Sequence, residues 1–209
     1  VKKKKPVLLN QPIKNVKTFY PGYSAGDRTR SFFKVQDGCN YFCSFCTIPL
    51  ARGKSRSGTI SQTIDKAKEI GNSEVKEVVL TGINLGDFGH GTKENFYQLI
   101  NELEELNSIS RFRISSIEPD LLSEEIIEFV NSSEKFVPHF HIPLQSGSNF
   151  LLKKMRRKYN TDLYFSRIEL IKKLMPHACI GVDVIVGFPG ETEEEFNKTI
   201  DYIKSLPVS

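Results

Sequence analysis

The sequence predicts an α/β chain in which five strand-helix units build a parallel sheet. Three observations carry that reading. From Ser31 onward, short β-branched or aromatic runs alternate with amphipathic stretches at helical period. Several stretches open on capping residues, and the joints between a run and the next stretch are rich in glycine and polar side chains. The 209 residues are 39% hydrophobic and 26% charged, with a mean hydropathy of −0.30, which suits one sizeable core and excludes a disordered tail or a disulfide miniprotein.

Residues 1–28 read as an extended basic linker, since Lys2 to Lys5 are followed by Pro6, Pro12, Pro21, Gly22 and Gly26. Residues 29–209 read as the core domain. Its strands are predicted at 32–36, 77–81, 112–116, 136–142 and 180–186, and its helices at 59–70, 95–106, 123–131, 161–174 and 192–206. Ser123 with Glu124 and Glu125 behind it predicts one helix start, and Thr192 with Glu195 three residues on predicts a capping box at another. Only Val7, Leu8 and Leu9 follow the opening lysines, too few for a signal peptide, and Asp183 interrupts the most apolar segment, 180–186. A cytoplasmic chain with no membrane contact is expected. It begins with Val and ends at Leu206-Pro207-Val208-Ser209, where a further strand is due, so it reads as a core cut from a longer protein with at least one βα unit missing.

The net charge of +4 hides an asymmetry: residues 1–60 carry +10 and the remainder −6. A polyanion such as RNA is a natural partner for that basic end, with a solvated lysine run as the plain alternative.

Chemistry in parallel α/β chains sits in the loops leaving the carboxyl ends of the strands. The first such loop holds Cys39, Cys43 and Cys46, three of the four cysteines, at C-x3-C-x2-C spacing. In a reducing compartment a cluster of this kind points to metal rather than to disulfides. Structural zinc needs a fourth ligand, and the sequence offers only Cys179, expected to be a small buried hydrophobe, or His139 and His141, which share one face of a strand. Three thiolates alone suit a 4Fe-4S cluster whose fourth iron stays open, a site where a methionyl amine and carboxylate can chelate beside a low-potential electron source.

The same residues carry a family resemblance. Cys39-x3-Cys43-x2-Cys46, with Phe45 before the last cysteine, resembles the signature of the radical S-adenosylmethionine (SAM) enzymes, which implies a partial (β/α) barrel, here of about five units. Gln36-Asp37-Gly38-Cys39, Ala51-Arg52-Gly53-Lys54-Ser55-Arg56-Ser57, Leu80-Thr81-Gly82-Ile83-Asn84, Ser115-Ser116-Ile117-Glu118-Pro119, Pro143-Leu144-Gln145-Ser146-Gly147 and Val186-Gly187-Phe188-Pro189-Gly190-Glu191 resemble the methylthiotransferase branch. Of that branch, the members acting on N6-threonylcarbamoyladenosine at tRNA position 37, where they add a methylthio group to adenine C2, look most similar. Relatives acting on isopentenyladenosine or on a ribosomal-protein aspartate are the alternative, and a zinc-stabilised RNA-binding module is the alternative of another class.

The resemblance implies that Cys39, Cys43 and Cys46 hold the cluster and that SAM is bound by Phe45, Thr81, Gly82, Asn84, Glu118, Gln145, Ser146, Arg156, Val186 and Gly187. It implies that Arg52, Lys54 and Arg56 contact tRNA, with Lys153, Lys154, Arg156, Arg157 and Lys158 as a second basic run. Tyr41, Phe42 and Phe88 are candidate stacking aromatics. A low-potential electron donor is an implied partner. The family pattern adds an amino-terminal sulfur-donor cluster domain and a carboxyl-terminal RNA-binding domain. Without them, this stretch is expected to bind a cluster but not to complete methylthiolation. Gly86, Gly89 and Gly91 are in the wrong order for a dinucleotide fingerprint.

Overall fold

The computed structural model describes residues 12–25, 29–73 and 75–208. In chain order its strands are β1 (Gly22–Tyr23), β2 (Arg30–Lys34), β3 (Gln36–Asp37), β4 (Arg56–Ser57), β5 (Glu77–Thr81), β6 (Arg111–Ile114), β7 (His139–His141) and β8 (Cys179–Gly181). The helices are α1 (Ile48–Arg52), α2 (Ile60–Gly71), α3 (Phe96–Glu104), α4 (Glu124–Ser132), α5 (Asn149–Lys154), α6 (Thr161–Leu174) and α7 (Glu193–Ser205).

β2, β5 and β6 pair in parallel, with β1 antiparallel on the outer edge of β2. Parallel bridges from Phe112 to Phe136 and from Ser116 to His141 continue the surface to β7, which pairs in parallel with β8. The result is one curved run of five parallel strands in sequence order, and all their carboxyl ends open to one side. Crossovers through amphipathic helices dictate this order, because each helix returns the chain alongside the strand just laid down.

Register sorts the side chains onto two faces. Phe33, Leu80 and Ile114 lie side by side, as do Val78 and Phe112, and these residues join Phe140 and Ile180 in a core closed by Ile70, Leu99, Leu103, Ile127 and Ile168 from the helices. The other face carries Arg30, Glu77 and Arg111 in one row and Phe32, Val79 and Arg113 in the next. His139 and Cys179 face each other across β7 and β8 on that second side. The apolar core thus sits between sheet and helices, and the concave face is largely polar.

Helix starts follow the predicted chemistry. Thr59 with Gln62 and Asn95 with Gln98 form reciprocal capping boxes, and Ser123, Asn160 and Thr192 each accept a backbone N–H. At Thr192 only half of the expected box forms, because the Glu195 carboxylate is held by Ser148 and Lys198 instead.

Strands 136–142 and 180–186 are shorter than expected. Pro138 and Pro143 remove ladder donors on either side of β7, and beyond β8 the ladder continues only as a bridge between Gln145 and Val184. The strand expected at 32–36 splits after Lys34: Val35 still donates to the Thr81 carbonyl, and β3 then turns off to pair with β4 in a separate ribbon. α1 and α5 were not predicted.

Of the segment 1–28, residues 1–11 and 26–28, with Lys2 to Lys5, Pro6 and Gly26, lie outside the described residues. Ile13–Asn15 forms a 3-10 turn against Gly53, and the Tyr23 hydroxyl donates to Glu69 on α2 at 2.8 Å. Among the described residues no helix is long and apolar enough to cross a membrane.

Candidate functional site

Gln36 organises the site. Its side chain is fully buried, its amide nitrogen lies within hydrogen-bond distance of the carbonyls of Asp37 (3.0 Å) and Gly38 (2.8 Å) and of Ser55 Oγ (2.9 Å), and its oxygen accepts the Asn84 N–H at 2.8 Å. One residue therefore joins the start of the cysteine loop, the basic loop and the loop after β5. Gly38 has φ +73°, and a Cβ there would lie 2.1 Å from the Lys54 carbonyl oxygen, so only glycine fits. Asp37 takes up positive charge from Arg56 (3.0 Å), Lys34 (3.7 Å) and Arg52 (3.8 Å).

The loop leaves this knot at the carboxyl end of β3. Cys39 donates its N–H to the Gly53 carbonyl, its sulfur lies 3.4 Å from the Tyr41 nitrogen, and Asn84 Nδ2 approaches it at 4.0 Å. Ser44 binds the carbonyls of Met155 and Lys154 through its N–H and hydroxyl, which fixes the far side of the loop to the end of α5. Cys43 is buried, while Cys39 and Cys46 are half-buried.

Arg157 reaches Cys43 Sγ with Nη1 at 3.2 Å, pairs through Nη2 with Glu118, and donates from Nε to the Tyr159 hydroxyl at 3.2 Å. The Tyr159 hydroxyl in turn faces the carbonyls of Pro143 and Leu144. The Arg157 side chain is only 3% exposed. Tyr41 donates to Asp120, with the Lys158 ammonium 3.9 Å from its ring centroid.

Burial pushes the Cys39 and Cys43 thiols up, against the Tyr41 N–H in the first case and the Arg157 guanidinium in the second. Burial also pushes Glu118 up to about 7, with Arg157 opposing. The guanidinium's own desolvation is outweighed by Glu118, so Arg157 stays charged.

Thr81 closes β5, Asn84 lies beside the cysteine loop, and a Cβ on Gly82 would lie 3.0 Å from the Gln36 side chain. Phe45 is 40% exposed at the mouth, and Glu118 faces Arg157. Gln145 adopts φ +65° and bridges to Val184, with its own N–H on the Asp183 carbonyl. Ser146 is fully buried against Thr199 of α7, so its hydroxyl serves packing. Val186 and Gly187 are exposed. Arg156, with φ +60°, is exposed, and it is the neighbouring Arg157 that enters the site.

Arg52 and Lys54 are exposed, whereas Arg56 spends its donors on Asp37 and on the carbonyls of Arg52, Lys54 and Thr18. Phe42 is 51% exposed with φ +50°, while Tyr41 and Phe88 are buried and unable to stack on a base. Cys179, expected to be buried, is exposed because it opens β8 on the concave face. It also stands at the amino end of its strand, away from the cysteine loop, so it does not complete a four-ligand zinc site. His141 is taken by Asp183 at 3.1 Å.

Among the described residues no three His, Cys, Asp or Glu side chains gather round a single-ion position. The donor set fits a 4Fe-4S cluster with one open iron: three thiols from one short loop, with no fourth at that end of the sheet. Buried side-chain oxygens of Asn84, Asp87 and Asp120, next to the loop, lack hydrogen-bond partners, as suits the edge of a polar ligand site. Cys39, Cys43 and Cys46 are the residues that would hold the cluster.

The family model described as the radical SAM superfamily matches residues 33–203. The chain is 48% identical over 180 residues to the threonylcarbamoyladenosine tRNA methylthiotransferase MtaB of Bacillus subtilis (strain 168), covering 85% of this chain and 40% of that protein. It is 36% identical over 216 residues to the tRNA-2-methylthio-N(6)-dimethylallyladenosine synthase of Pelotomaculum thermopropionicum, covering 96% of this chain and 48% of that one. The chain thus spans less than half the length of these curated relatives. The radical S-adenosylmethionine methyltransferase TsrM from Kitasatospora setae, solved with cobalamin and a [4Fe-4S] cluster, shares the fold at a TM-score of 0.71 and 17% identity, over 85% of this chain and 34% of that one.

Proposed function

The chain belongs to the radical SAM superfamily, and from that premise we propose that it is the core of a tRNA-modifying methylthiotransferase whose substrate is N6-threonylcarbamoyladenosine at position 37, methylthiolated at C2. The observation that carries this reading is the cysteine loop itself, tied by Gln36 to Ser55 and Asn84 so that three thiols stand at the carboxyl mouth of the sheet. Identities of 48% and 43% to two threonylcarbamoyladenosine enzymes, with a third at 37%, against 36–40% to the dimethylallyladenosine ones, support the choice of substrate.

Held by Cys39, Cys43 and Cys46, a four-iron cluster would supply the low-potential electron that cleaves SAM. The protein's own residues hold and shield. Phe45 and Tyr41 flank the cysteines with aromatic carbon, and Asn84 and Glu118 present polar atoms at the strand ends that would meet the cofactor's amine, carboxylate and ribose. Thr81 and Gly82 shape the backbone around it. Gln145, Val186 and Gly187, in the loops after β7 and β8, would complete its lining. Arg52 and Lys54 grip phosphate, and Lys153, Lys154 and Lys158 extend that basic rim. The reaction runs in the cytoplasm, with a low-potential protein as electron donor, a second cluster domain as sulfur source and a further RNA-binding domain contributed by the full-length protein.

Anaerobic reconstitution with iron and sulfide tests the reading. The expected outcome is a brown chain holding about four irons, a Cys43→Ala variant that loses them, and dithionite-dependent release of 5′-deoxyadenosine from SAM. The full-length protein should then modify tRNA carrying threonylcarbamoyladenosine in preference to tRNA carrying isopentenyladenosine. A colourless chain with one bound zinc would overturn it.

A further inference from the structure

We propose that Arg157 is a positioning residue for the cluster's electron chemistry: its guanidinium donates to the Cys43 ligand sulfur and raises the cluster's reduction potential. The inference rests on the cluster reading above and on a built arrangement. Arg157 comes from the turn after α5, 114 residues from Cys43, and its side chain is 3% exposed. Burying a guanidinium is costly unless its donors are filled. Each of the three nitrogens has a defined partner: Nη1 the Cys43 sulfur, Nη2 the Glu118 carboxylate and Nε the Tyr159 hydroxyl.

Glu118 and Tyr159 leave the group little freedom to turn away from the sulfur. Tyr159 is itself buried and held between the Pro143 and Leu144 carbonyls, and Glu118 leaves the carboxyl end of β6. The loop after β6 and the turn after α5 thereby aim one fixed positive charge at one of three ligands. The Cys39 sulfur sees weaker company, the Tyr41 N–H and a distant Asn84 amide. Adding an electron to a cluster adds negative charge, and a hydrogen bond from a cation to a ligand sulfur favours that added charge. The geometry also makes the three thiols inequivalent, with the cationic donor on Cys43.

The test is a redox titration of the chain carrying its reconstituted cluster, without SAM, followed by electron paramagnetic resonance, for wild type, Arg157→Lys and Arg157→Met. The expected result is a fall in potential for Arg157→Met corresponding to at least a tenfold loss in the reduction equilibrium, about 59 mV for one electron, with Arg157→Lys recovering part of it. Should Arg157→Met fail to fold, Arg157→Lys alone decides, because it keeps the charge and loses the fork: a measurable fall supports the proposal. Equal potentials in wild type and variants overturn it, including the case where SAM affinity drops while the SAM-free potential stays put, which would make Arg157 a cofactor clamp. A wild-type chain that takes up no iron and sulfide refutes the cluster reading instead.

Discussion

Replacing Gln36 by Leu, close in size and fully apolar, tests whether one buried amide holds the candidate site together. The amide nitrogen has two hydrogens for its three nearby acceptors, so at most two donated bonds form at once, and the oxygen accepts a third from Asn84. At about 1 kcal/mol net for each neutral bond, the loss is about 3 kcal/mol. Stranding the buried partners adds to that figure, and the leucine's own burial offsets part of it. For a domain of this size, about 3 kcal/mol lowers the melting temperature by about 6 to 12 °C. Urea denaturation of wild type and Gln36→Leu gives the free energy directly, and an unchanged m-value would show that the native fold is retained. Because the same bonds aim the cysteine loop, iron bound after reconstitution should fall with stability. A difference below about 1 kcal/mol with full iron content would refute the reasoning, since the buried amide would then be replaceable by carbon.

Three further outcomes follow from other parts of the structure. Gly38→Ala places a methyl group 2.1 Å from the Lys54 carbonyl oxygen at a left-handed position, so the loop must shift, and both melting temperature and iron content should drop; wild-type values for both would contradict the close approach. Burial alone would raise the Glu77 carboxyl, but Arg113, Arg30 and Arg111 outweigh it and hold the group below its ordinary range. Its charge therefore stabilises the fold fully above the unfolded value of about 4.3 and ceases to do so as pH falls through the lower folded value. The stability gap between wild type and Glu77→Gln should be constant from pH 7 to 5 and close toward pH 3, a pattern that denaturation at each pH would check. Neutralising Arg52 and Lys54 together should weaken tRNA binding and flatten the logarithmic salt dependence by about 1.5, the equivalent of two phosphate contacts; an unchanged slope would place the RNA elsewhere.

The helices were legible in the sequence because their information is local. Thr59, Asn95, Ser123, Asn160 and Thr192 each cap within three residues of their own position. Strand limits were less so: Cys179 to Val186 is rich in β-branched residues, broken only by Gly181 and Asp183, but its regular pairing ends where β7 meets Pro143, a fact about the neighbouring strand. α1 and α5 are too short for periodicity to reveal. The three cysteines stood out by spacing alone. Arg157 did not stand out, because it sits in a run of five basic residues in which Lys153, Lys154, Arg156 and Lys158 are exposed. Only its distant partners, Cys43 and Glu118, distinguish it from its neighbours. Phe88 and Tyr41 read as loop aromatics for the same reason: what buries them lies elsewhere in the chain.

The two faces of the sheet also bear on how such a protein can change. Phe33, Leu80 and Phe140 belong to the core, whereas Phe32, His139 and His141 lie on the concave side, where few apolar contacts depend on them. Substitutions at the second set leave the main source of folding energy untouched. A lineage can therefore redraw the chamber it offers to a substrate in single steps without crossing a stability threshold, and a library diversified at residues 32, 139 and 141 should retain far more folded members than one diversified at 33, 80 and 140.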